Sequence, residues 1–308
     1  MRDVAPNRAR AIATTAYLFL YPLVIYYRDM YRQAIDISSP TFSGGFGTWR
    51  HAMVRERRRG GGGRPLGPTL RSTIWLDLRS EPWWCSIGET PSDVEFSARW
   101  SDLWGFLLGP EGAAPETAHG SPVLVSAPKL VRDVPSEIAG IVRGESAFVA
   151  LTTETRWRDP FALPGVEPIR PEIGLEPMSA IYRRPVARPA PSVGWYPWHD
   201  AVETTDEFWA CANFALSLIE PAGQDAVVYE RLAEIGVVGG RPWDASMFSD
   251  EAAAATQDGV DEAISQLLEA AGDPSVRSSP GFRREDMDRD YFGRAARALD
   301  RYSPIEEP

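Results

Sequence analysis

The period at which apolar residues recur changes along this chain, and each change predicts a different element. From Pro6 to Ile35, Ile12, Ala16, Phe19, Leu23, Tyr26, Tyr27 and Met30 fall near helical spacing. Asn7 is placed to cap that helix, and Pro22 is expected to kink it. From Thr69 to about Ala187 the pattern shifts to period two and to short apolar runs. Candidate strands are Thr69–Leu78, Trp83–Ile87, Val94–Trp100, Pro122–Ser126, Ala147–Thr153 and Ile169–Ile173, separated by turn signals such as Ser80-Glu-Pro82 and Gly109-Pro110. A short helix is expected over Val134–Val142. The last third returns to helical spacing. Thr205 is read as the cap of a helix stopped by Pro221, Gly236 as the end of a helix from Asp225, Ser249 as the cap of a helix to Ala271, and Arg284–Tyr302 as a final helix.

These elements predict an α+β protein with an N-terminal helix, an antiparallel β-sandwich and a C-terminal helical region. The expected divisions are a helical segment over 1–37, a Gly/Arg-rich loop over 38–67, the β-sandwich over 68–190 and the helical region over 200–308. Within the loop, Arg55–Arg59 precede four glycines, Gly60–Gly63, whose ordering costs more backbone entropy than that of any other residue. A lid over a site and a tolerated surface insertion are the two readings of that run. A phosphate-cradling loop is disfavoured, because no Gly-Lys-Ser/Thr follows.

The 308 residues are ample for a real core. A formal charge of −11 argues against a non-specific grip on nucleic acid or an anionic membrane. Cys85 and Cys211 lie far apart without metal-ligand spacing, so buried free thiols in a reducing, cytoplasmic setting are expected. The uncharged run Ala11–Tyr27 is marginal for a membrane span and contains Pro22 and Tyr17, Tyr21, Tyr26 and Tyr27; a buried helix is the expected outcome. Lys129 is the sole lysine among 32 basic residues, which leaves one side chain able to act as a Schiff-base amine.

Several motifs, in order, resemble one family. Ala16-Tyr-Leu-Phe-Leu-Tyr-Pro-Leu-Val24 resembles an Ala-Tyr-x-Tyr-Gly-Tyr-Pro-Leu-Val opening. Arg64-Pro-Leu-Gly-Pro-Thr-Leu-Arg-Ser72 and Ile74-Trp-Leu-Asp-Leu-Arg-Ser-Glu-Pro-Trp83 align without gaps to Arg-Pro-Asn-x-Asp-Thr-Leu-Tyr-Ser and Trp-Leu-Asp-Leu-x-x-Glu-Pro. Trp49-Arg-His51, Phe96–Trp104, Leu175–Ala180, Arg231–Asp244 and Asp290–Ala296 resemble further blocks. The family is the domain of unknown function 1254. The chain departs from its pattern at Leu66, Pro68 and Arg71, which stand where the family has Asn, Asp and Tyr. The resemblance implies longer relatives with a second, 1214-type β domain. This chain is therefore expected to be a stand-alone version and a possible homo-oligomer.

The residues that could carry chemistry are few. His51, His119 and His199 are the three histidines, and no Gly-x-Ser-x-Gly elbow presents a nucleophile. His51 matches a family position; its competing role is to support the neighbouring loop. Asp102 lies between Trp100 and Trp104, where alternation would put all three on one sheet face. Burial among indoles favours the protonated form of a carboxyl group, which suits acid or base work. The alternative is an ion pair with Arg99 or Arg71. Eleven tryptophans suggest an aromatic pocket for an apolar molecule, or simple core filling.

The expected function is an enzyme of small-molecule metabolism, acting on an apolar substrate by cyclisation, isomerisation or elimination without cofactor or metal. Asp102, His51, Arg71 and Arg99 are the candidate catalytic residues. Tyr21, Trp49, Thr69, Ser72 and Trp75 are candidate substrate contacts, together with Trp100, Trp104, Trp198 and His199. The alternatives are a non-catalytic small-molecule-binding or accessory protein, and a hydrolase using Ser72.

Overall fold

Helix α1, Pro6–Ala34, is the element that the first apolar run predicts, and it continues through Pro22. Ala13, Tyr17, Leu20, Val24 and Tyr27 are all buried. A helix apolar around most of its circumference belongs in a core. The apolar window of α1 is long enough to cross a membrane by length and composition, yet 72% of it is buried inside the protein. One stripe stays open, with Arg8, Ala11 and Thr15 exposed.

The computed structural model describes residues 4–54, 68–90, 92, 94–111, 121–129, 134–157, 172–271, 282–287 and 289–300. The chain forms two units. A helical unit takes α1 as far as Arg32, the segment Leu103–Phe106 and Val193–Ser303. A β unit takes Gln33–Asp102 and Leu107–Ser192. In this grouping α1 falls with the C-terminal helices. Gly60–Gly63 and His119 lie outside the described residues, and so does the lid question.

The β unit holds two sheets. The first contains β1 (Trp49–Val54), β2 (Thr69–Asp77), β4 (Val94–Asp102), β5 (Leu107–Leu108) and β8 (Phe148–Trp157) in the order β1-β2-β8-β4-β5, every pair antiparallel. The second contains β3 (Trp83–Ile87), β6 (Val123–Ser126), β7 (Gly140–Arg143) and β9 (Ile173–Pro177) in the order β7-β6-β3-β9. Period two does its work in β2, where Leu70, Ser72, Ile74 and Leu76 on one face are all buried. All four residues of β6 are buried, the apolar run Val123–Val125 and the polar Ser126 alike.

Three expectations in this unit are corrected. Trp49–Val54 is a strand and not loop; pairing on one side only, it carries a weaker apolar pattern than a central strand. Val134–Val142 is not a helix: it ends in β7, which pairs parallel to β6, so the sheets are not wholly antiparallel. A Cβ on Gly140 would come 2.7 Å from Pro110 Cβ, so the backbones approach closely where a helix was expected. The last strand is Ile173–Pro177, and residues 169–171 lie outside the described set.

The helical unit packs α1 with α3 (Glu207–Leu216), α4 (Ala226–Glu234), α5 (Asp250–Ala271) and α6 (Tyr291–Asp300); α2 (Met178–Ile181) is a single turn in the β unit. Its core includes Phe19, Trp104, Phe106, Phe208 and Trp209. Ser249 caps α5 as expected, its Oγ accepting from Ala252 N at 3.2 Å. Gly236 closes α4 with φ +78, and Val237 N reaches back to Leu232 O at 3.0 Å. Thr205 does not cap α3, because its hydroxyl donates backward to Ala201 O at 2.8 Å. The final helix is shorter than expected, with Glu285–Met287 forming a separate 3-10 turn before α6.

Candidate functional site

Register decides which polar side chains of the β unit can meet. His51, Ser72, Thr153 and Ala98 are paired across β1, β2, β8 and β4, and therefore share one face. On that face His51 Nδ1 lies 2.7 Å from Ser72 Oγ. The His51 ring stacks parallel to that of Trp49, with centroids 6.2 Å apart. Ser72 is 3% exposed.

Arg71 and Arg99 occupy the opposite face, where they converge on Glu154. Arg71 Nε donates to Glu154 Oε1 at 2.9 Å, and Arg99 Nη2 is 3.1 Å from Oε2. Burial works to raise the Glu154 pKa; the two guanidiniums outweigh it and hold the carboxyl below its usual 4.5. Beside this cluster Arg156 Nε donates to Thr69 Oγ1 at 3.3 Å. Glu154 is the partner that sequence reasoning missed, since only register aligns it with Arg71.

Asp102 is the last residue of β4 and is fully buried. It pairs with neither Arg71 nor Arg99: its Oδ2 accepts from Glu145 N at 3.1 Å. Gly144 must lack a side chain there, because a Cβ would sit 2.7 Å from Asp102 Cβ. Trp100 shares its face by alternation, but the strand ends before Trp104, which belongs to the helical unit. Asp102 and His51 are also far apart. They are separated by three strand spacings, roughly 14 Å, and by four residues along the strand, roughly 13 Å. Trp75 and Trp100 are 2% and 0% exposed.

The predicted residues of the helical unit fall into a separate polar cluster. Arg28 is wholly buried on α1, with Nη1 2.6 Å from Glu203 Oε1 and its guanidinium 5.6 Å from the Trp198 ring centroid. Tyr17 donates to Glu203 O at 2.9 Å, and burial pushes its hydroxyl well above the ordinary pKa. His199 Nε2 meets Glu207 Oε2 at 2.6 Å. Tyr21 packs against Tyr17, their centroids 5.5 Å apart. Arg28 escaped sequence reasoning because a charge inside an apolar helical run reads as an exposed position.

The helical unit also contains a groove of about 610 Å³, within the range of small-molecule sites. On α1 it uses Arg8, Ile12 and Ala16, and on α4 Val228, Arg231 and Leu232. The α1 set advances by four residues and the α4 set falls at i, i+3 and i+4, so each is one helix face. Ile12, Ala16 and Leu232 form a buried apolar floor, while Arg8 and Arg231 are exposed. Thr15, Gln224, Arg289 and Tyr291 complete the polar lining. None of the candidate catalytic or substrate-contact residues lines this groove, although three of the family-like blocks reach it at Ala16, Arg231 and Tyr291. Among the described residues no group of three His, Cys, Asp or Glu is arranged to hold a metal ion.

These features define an α+β protein with an apolar, arginine-bearing groove and two partly buried polar clusters. No family model and no curated protein matches the chain. Among solved structures it is similar to the crystal structure of the VPA0106 protein from Vibrio parahaemolyticus, a structural-genomics target. The TM-score is 0.67 at 17% identity, over 97% of this chain and 68% of that one. At this identity the likeness establishes the fold.

Proposed function

We propose that this protein binds an apolar small molecule in the groove between α1 and α4. The observation that carries the reading is a concave site of about 610 Å³ with a buried apolar floor, beside Val227, which is 62% exposed. Native mass spectrometry and thermal shift against apolar small molecules test it. Binding that raises Tm and is lost in Val228→Trp, which fills the groove, supports the reading; binding unaffected by that substitution sinks it.

A second reading, hydrolysis by Ser72, draws on the 2.7 Å contact between His51 Nδ1 and Ser72 Oγ, a nucleophile–base spacing. Labelling of Ser72 by a fluorophosphonate, lost in His51→Ala, is its test. Acid–base cooperation between Asp102 and His51 in a cyclisation, isomerisation or elimination has no comparable support, given their separation in the sheet.

We also retain membership of the unknown-function 1254 family as a proposal. Its support is the motif order, with Ala16–Val24 lying in α1, Leu70–Asp77 in β2 and Leu175–Ala180 running from β9 into α2.

A further inference from the structure

Arginines concentrate at the α1–α4 groove although the chain as a whole is acidic, with 43 Asp and Glu against 32 Lys and Arg. Arg8, Arg231 and Arg289 line it, and among the described residues no carboxylate does. At one end, Arg8 grips Glu234 at two points, Nε to Oε2 at 2.6 Å and Nη2 to Oε1 at 2.8 Å. Arg231 lies close enough to act on the same carboxylate but forms no ion pair among the described residues. Arg8 takes the Glu234 carboxylate while Arg231 stands near it without pairing, so these three groups together carry a net positive charge. From Arg8 the floor runs through Ile12 to Ala16, about 12 Å of helix, with Val228 and Leu232 facing it from α4.

Resting on the reading of this groove as a binding site, we propose that its occupant is an amphipathic anion. The anionic head pairs with Arg231, and a medium-length hydrocarbon chain lies along Ile12, Ala16, Val228 and Leu232. A planar guanidinium recognises a carboxylate or phosphate oxygen pair at two points, which an ammonium cannot do. An uncharged apolar ligand would gain from the floor but nothing from Arg231, and a cationic one would be repelled.

The test compares decanoate and decyltrimethylammonium, each below its micelle concentration, with decanol below its solubility limit, by calorimetry on the full chain. Vesicles of phosphatidylglycerol form a fourth arm, and Arg231→Gln, Arg231→Lys and Val228→Trp are the variants. Arg231 is exposed, so its replacements are expected to fold, which circular dichroism checks. Decanoate is expected to bind at least about tenfold more tightly than decanol, with that advantage lost in Arg231→Gln and partly kept in Arg231→Lys. Equal binding of decanoate and decanol, both blocked by Val228→Trp, overturns the anionic class and leaves the groove reading standing. Binding of none of the probes, or binding indifferent to Val228→Trp, overturns the groove reading itself. Binding to vesicles alone overturns both in favour of a membrane surface.

Discussion

Arg71 and Glu154 stand directly opposite each other on β2 and β8, with Nη2 and Oε1 2.8 Å apart. Arg99, on the far side of β8, takes the other carboxylate oxygen. Removing the carboxylate leaves two half-buried guanidiniums facing each other. Glu154→Gln is expected to destabilise the protein by about 1–3 kcal/mol in urea denaturation, below the figure for a fully buried pair because the groups keep some solvent contact. The folded-state pKa of Glu154 lies below its usual value. Its contribution is therefore complete above the unfolded pKa and is lost as pH falls through the lowered folded value. Wild type should lose stability relative to Glu154→Gln as pH drops below about 4.5. A constant difference from pH 7 down to 3 would count against this ion-pair account.

Arg28 presents the same physics without solvent. Its side chain is completely buried, paired with Glu203 and set against Trp198. Arg28→Ala removes both the charge partner and the packing of the stem, an expected loss of about 3–5 kcal/mol. Arg28→Met restores most of the volume but no charge, and should recover only about 1 kcal/mol of that loss. Full recovery by Met in equilibrium unfolding would show that Arg28 acts by filling space.

Burial pushes the Cys85 thiol up to about 12 and raises that of Cys211 as well. The thiolate is the reactive form, so neither side chain should react with Ellman's reagent at pH 8 while the protein is folded. Both should react in urea. Rapid labelling of the native protein would mean that one of these cores opens readily.

What was legible in the sequence was local. Ser249 and Gly236 announced a helix start and a helix end because capping chemistry acts within one turn. The Arg71–Glu154 pair was not legible, since its partners are 83 positions apart and meet only through strand register. Alternation put Asp102 and Trp104 on one face, but it holds only while the strand continues, and β4 stops at Asp102. The groove was invisible for a related reason. Arg8 and Arg231 lie far apart in the sequence, and only the tertiary contact of Arg8 with Glu234 gathers them.

Gly259 sits inside α5, where helix propensity alone would favour alanine by about 1 kcal/mol. The packing argues the other way. A Cβ at this position would lie 2.6 Å from Arg10 O and 2.8 Å from Ala13 Cβ, so α5 meets α1 where only glycine fits. Gly259→Ala must push the helices apart, at an expected net cost of about 1–3 kcal/mol and a lower Tm. Ala13→Gly in the same chain removes the Cβ contact but leaves the backbone one, so the pair should recover only part of the loss. Stabilisation by Gly259→Ala would mean that the helices do not approach this closely in solution.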